Sequence, residues 1–139
     1  MNVARLSDRI KAAEGFRSKL YNCPAGHLTI GYGHNIEEHG ISQHVAEVIF
    51  RGDLQISIEE TEAEWVEIWP TLSDARQEVL VDMMFNMGKP TFNRRRWPKF
   101  TAALAAHDYV EAEAQMIDSK WHRDVKTRAL ELERLMREG

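Results

Sequence analysis

The chain has 139 residues, 43% of them hydrophobic and 29% charged, with one cysteine, four prolines and eight glycines. That composition supplies one real core and excludes a disordered tail, a collagen-like chain and a disulfide-stapled miniprotein. The formal net charge of −4 is uneven: residues 1–40 carry five basic and four acidic residues, 41–88 two and ten, and 89–139 eleven and eight, too small a positive surplus for a dedicated binder of duplex nucleic acid.

Val3, Leu6, Ile10 and Ala13 recur at helical spacing and predict a first amphipathic helix that stops at Gly15. Phe16 to Asn22 and His27 to Gly33, joined by Pro24-Ala25-Gly26, read as a β-hairpin, and Gly40-Ile41 as a short third strand. Ser42 is a plausible N-cap for the next helix. Pro70 interrupts the helical pattern, and Ser73 or Asp74 can cap its successor. From Val79 to Met87 that helix is apolar nearly all round, with only Asp82 and Asn86 polar, so it belongs inside a bundle, and Met83, Met84 and Met87 are core filler. Gly88 ends it. Further helices are expected roughly over 98–107, 108–119 and 124–137. The fold class is therefore α+β and mostly helical: one domain over 1–139, with a small β lobe at about 15–42 beside a helical bundle and a cleft next to it.

Two charged stretches have plain readings. Arg94 to Lys99 is the one candidate patch for a polyanion and more simply a solvated connection between helices; Glu59 to Glu67 is an exposed helix face. No apolar run approaches the ~18 residues that span a bilayer, and charges stand where a signal peptide would be apolar. The expectation is a monomeric protein made in the cytoplasm, without stable membrane insertion. The histidines lack metal-ligand spacing and the lone cysteine has no second sulfur, so neither metal nor cofactor is expected.

Glu14 ends the first helix and faces the hairpin. If the hairpin turn centres on Gly26, Cys23 opposes Thr29, and a carboxyl, a thiol and a hydroxyl converge. Eight residues separate Glu14 from Cys23 and five separate Cys23 from Thr29; Ile30-Gly31-Tyr32-Gly33-His34 follows. This pattern resembles the phage-type lysozymes, or endolysins, of glycoside hydrolase family 24, whose signature is Glu, eight residues, Asp or Cys, five residues, Thr. Phe85-Asn86-Met87-Gly88 and the Trp121…Arg128 pair extend the resemblance along essentially the whole chain. Two departures stand out: Cys23 replaces the more familiar Asp, and the segment after His34 is short.

The resemblance implies a lysozyme-like fold and hydrolysis of the β-1,4 bond between N-acetylmuramic acid and N-acetylglucosamine in peptidoglycan, by inversion. Glu14 would be the proton donor, Thr29 would hold the attacking water, and Cys23 would act as a thiolate or contribute little. An ordinary thiol titrates near ~8.5, so a working thiolate needs help, with Arg17, Lys19 and Arg128 as candidates. Arg128 matches the arginine that pairs with the catalytic glutamate, and His34 with Asp53 matches a supporting His–Asp pair. Asn35, Phe85 and Gln115 match positions that line the substrate cleft. The partners implied are peptidoglycan strands and a holin that opens the membrane. The rival reading is a lysozyme-like module that grips peptidoglycan without cutting it.

Overall fold

A computed structural model describes residues 1–139. The chain forms two compact units, Met1–Val48 and Ile49–Gly139.

The N-terminal unit begins with α1 (Val3–Glu14). Its N-cap is Asn2, whose side chain accepts from Arg5 N–H, and Gly15 ends it at φ 70°. Strands β1 (Arg17–Asn22), β2 (Leu28–Gly31) and β3 (His34–Asn35) form an antiparallel sheet in that order. The third strand is thus His34–Asn35, and the expected strand at Gly40–Ile41 is absent. The reason is local: Tyr32-Gly33 turns the chain straight back on β2, pairing Thr29 with Asn35 and Ile30 with His34. Asn35 then caps α2 (Ile36–His39), accepting from Glu38 N–H at 3.1 Å.

The hairpin register also differs from expectation. Tyr21 pairs with Thr29 and Asn22 with Leu28, and Cys23 N–H donates to the His27 carbonyl at 3.0 Å. Cys23 therefore opposes His27, not Thr29. The turn closes one residue earlier because Gly26 N–H donates to the Cys23 carbonyl at 2.8 Å, which places Pro24 and Ala25 at its centre.

Helix α3 (Gln43–Glu64) starts behind Ser42, whose hydroxyl accepts from Val45 N–H, and runs unbroken through Arg51 and Gly52. A short 3-10 turn at Trp69–Thr71 contains Pro70 and precedes α4 (Asp74–Met87), capped by Ser73 and ended by Gly88. Then follow α5 (Pro98–Ala105), α6 (Tyr109–Ile117), α7 (Lys120–Val125) and α8 (Thr127–Glu138). The helix expected over 124–137 begins at Thr127, behind the unexpected α7, because Lys126 takes a left-handed conformation at φ 49° and breaks the ladder.

The core of the C-terminal unit is Trp65, Val79, Leu80, Met83, Met84, Phe92, Phe100, Leu104, Met116 and Met136 among others. Helix α4 supplies four of these, and Phe92 stacks on Trp65 at 4.8 Å between ring centres. The methionines pack as filler, as their spacing predicts. The mostly helical α+β class holds. No helix is long and apolar enough to cross a membrane.

Candidate active site

Three catalytic candidates, Glu14, Cys23 and Thr29, lie in the N-terminal unit, on the end of α1, the hairpin turn and β2. The register shift keeps Cys23 and Thr29 together. Thr29 stands two residues beyond His27, the partner of Cys23, so the two side chains are diagonal neighbours on one face of the ribbon. The Thr29 hydroxyl lies close enough to the Cys23 thiol to favour its ionised form.

The turn itself tunes the thiol. The His27 amide acts most strongly, and the amides of Ala25 and Gly26 with the Thr29 hydroxyl add to it; against a smaller opposing effect of burial they hold the Cys23 thiol below its ordinary range. Nearby N–H dipoles stabilise the ionised form of a thiol. The expected helpers, Arg17, Lys19 and Arg128, are not among the causes. Arg17 instead stacks on the Tyr21 ring, 4.5 Å from its centre.

Thr29 is 2% exposed, the one buried residue of the sheet. Its hydroxyl donates to the His27 carbonyl at 2.9 Å. That carbonyl also receives the Cys23 N–H, so a single peptide group, His27, organises both residues. With one hydroxyl proton to give, Thr29 serves either that carbonyl or the sulfur.

Glu14 is exposed, and its carboxylate lies against Gly33. The turn between β2 and β3 thereby joins Glu14 to the sheet that carries Thr29.

Asn35 pairs with Thr29 in register and is occupied with capping; its amide donates to Glu38 Oε2 at 3.2 Å. His34 Nε2–H donates to the Gly40 carbonyl at 2.7 Å. Asp53 belongs to the other unit and accepts, through its carbonyl, the Ser57 hydroxyl at 2.9 Å.

In the C-terminal unit, Phe85 meets Phe50 edge-on at 5.6 Å and lines a largely apolar groove of about 570 Å³ with Trp69, Val81 and Arg128. Gln115 lines a different groove of about 640 Å³, with Trp97, Lys99 and Trp121, while its amide donates to Glu111 Oε1 at 2.7 Å. The structure does not bring Phe85 and Gln115 into one groove. The Arg128 guanidinium is engaged by Asp82, with Nε and Nη2 converging on Oδ1 at 2.8 and 2.7 Å. The basic patch is partly consumed: Arg94 N–H donates to Glu64 and its guanidinium to Glu67 at 3.3 Å.

Sequence reasoning missed three contributors. Asp82 and Asn86 are the two polar residues of an apolar helix, and that exception was the available signal. Asp82 binds Arg128, and Asn86 Oδ1 accepts the Trp121 indole N–H at 3.1 Å. The role of His27 is carried by its backbone, which no side-chain motif reveals.

Comparisons with known proteins identify the family. The family described as phage lysozyme matches residues 11–137. An endolysin of Acyrthosiphon pisum secondary endosymbiont phage 1 is 33% identical over 116 residues, covering 81% of this chain and 73% of that protein. With that match over nearly its full length, the chain belongs to the phage lysozyme family.

Proposed function

We propose that this protein is a muramidase of glycoside hydrolase family 24, an endolysin that cleaves the β-1,4 bond between N-acetylmuramic acid and N-acetylglucosamine of peptidoglycan with inversion. The observation that carries the reading is the placement of Cys23 and Thr29 as diagonal neighbours across the hairpin, both bonded to the one His27 carbonyl, in the same unit as Glu14. Family membership and the endolysin relative support the substrate class.

Glycoside hydrolysis needs an acid for the leaving oxygen and a base for a water on the opposite face. Glu14 delivers its proton to the glycosidic oxygen as the bond to the anomeric carbon breaks. Water attacks that carbon from the other side, and its proton passes to the Cys23 thiolate. The turnover leaves a carboxylate at Glu14 and a thiol at Cys23, and exchange with solvent resets both. Thr29, buried and donating its hydroxyl proton to the His27 carbonyl at 2.9 Å, keeps its oxygen lone pairs to hold the attacking water beside the thiolate.

Asn35, Phe85 and Gln115 bind sugar, and His34, Asp53 and Arg128 support the site, as the resemblance implies. The enzyme reaches the wall after a holin opens the membrane.

Digestion of purified peptidoglycan followed by product analysis tests this. A new reducing end on muramic acid is expected. An anhydro product would make it a lytic transglycosylase, released peptides an amidase, and sedimentation with intact walls without cleavage a binding module.

A further inference from the structure

We propose that Glu37 is a positioning residue of this site: its carboxylate pins the start of β2 and so holds the His27 peptide group on which Cys23 and Thr29 both depend. The inference rests on the reading of Cys23 as the base.

Leu28 N–H donates to Glu37 Oε2 at 2.9 Å, and the same oxygen lies 3.7 Å from His27 Nδ1. Glu37 comes from α2, nine residues further on, so this bond ties the helix back onto the first residue of β2. Its neighbour Glu38 has a different task, closing the cap with Asn35. The two adjacent carboxylates thus divide the work, one finishing the helix and one reaching across to the strand.

The pinned N–H belongs to the His27–Leu28 peptide, whose carbonyl is the hub of the site. The His27 carbonyl receives Cys23 N–H at 3.0 Å and the Thr29 hydroxyl at 2.9 Å, and the His27 amide faces the Cys23 thiol. An amide free to swing there moves the donors away from the sulfur. The bond is exposed, with Glu37 54% and His27 49% accessible, so water competes for it and its effect is on position more than on folding.

Charge and position act in opposite directions at Cys23, which makes the proposal testable. Removing a nearby negative charge alone eases ionisation of a thiol, whereas loosening the donors hinders it. The chain has one cysteine, so alkylation by iodoacetamide reports on Cys23 alone. Alkylation rate against pH, and kcat and KM on purified peptidoglycan, would be measured for Glu37→Ala and Glu37→Gln in the full chain. For Glu37→Ala the alkylation midpoint should move up toward the ~8.5 of a free cysteine, with kcat falling roughly tenfold at nearly unchanged KM, the scale of a small misplacement. Glu37→Gln keeps an acceptor for Leu28 N–H and should restore both. A midpoint in Glu37→Ala that stays put or moves down, or a Gln variant as impaired as Ala, overturns the proposal. Alkylation reads the donors whether or not lysis uses the thiol: full activity in Cys23→Ala would sink the base reading and leave the alkylation result standing.

Discussion

Glu14 and Gly33 are packed so closely that a Cβ at residue 33 would stand 2.8 Å from Glu14 Oε2. Gly33 also has φ +76°, a left-handed conformation that costs an L-residue about 1–2 kcal/mol. Gly33→Ala should therefore lose about that much stability and push the carboxylate aside, lowering lytic activity by roughly tenfold. Gly31 is the control: it shares the strain at φ +68° but has nothing within 4 Å. Gly31→Ala should lose stability without the activity loss. Chemical denaturation and turbidity clearing of cell walls, run on both variants, read the two effects separately.

Glu14 is exposed at the end of α1 and buries none of the core. Glu14→Gln preserves its shape but cannot deliver a proton. Wall hydrolysis should drop at least ~100-fold, the scale of general acid catalysis, with the unfolding midpoint unchanged. Near-normal hydrolysis by the folded variant would remove Glu14 from the mechanism.

Cys23 is held below the ordinary thiol range by the His27 amide first and the other turn donors after it. Its alkylation by iodoacetamide should follow a pH curve centred below the ~8.5 of free cysteine. Because the folded thiol ionises more readily than the unfolded one, its contribution to stability is present above the unfolded pKa and fades as pH falls through the folded value. Cys23→Asp should remain active, Cys23→Ala should lose much of the rate, and Cys23→Ser should fall below Asp because its hydroxyl hardly ionises. Wild-type activity should rise toward alkaline pH along a limb missing from Cys23→Asp. Equal rates in wild type, Ala and Ser would make Cys23 a packing residue.

Asn86 is the acceptor for the indole N–H of Trp121, which is 4% exposed. Asn86→Ala leaves that buried donor unpaired and should cost about 1–3 kcal/mol, seen as a lower urea midpoint with unchanged slope. Asn86→Gln, able to offer an oxygen again, should recover part of the loss.

Much of the fold is legible in the sequence where local chemistry acts alone. Gly15 and Gly88 end helices because they accept positive φ, at 70° and 72°. Ser73 caps α4 because its hydroxyl accepts from Arg76 N–H. The break at Lys126 was invisible for the opposite reason: lysine carries no signal for the left-handed conformation it adopts. The third strand stands earlier than Gly40-Ile41 because a tight three-residue turn, Gly31-Tyr32-Gly33, outcompetes a later return of the chain.

By itself the sequence determined which residue types stand at which spacing: Glu14, Cys23 and Thr29, the apolar α4, and the two polar exceptions on it. Covalent order and side-chain chemistry carry that information directly. Only tertiary structure decided what each group meets. A one-residue difference in hairpin closure moved Cys23 opposite His27 and put its N–H on the same carbonyl that takes the Thr29 hydroxyl, although nothing in the side-chain pattern changed. The same holds for Asp82 and Arg128, whose pairing across 46 positions of chain depends on how α4 and α8 pack. Backbone donors and long-range partners leave no trace in spacing, because they are set by the register and packing of the folded chain.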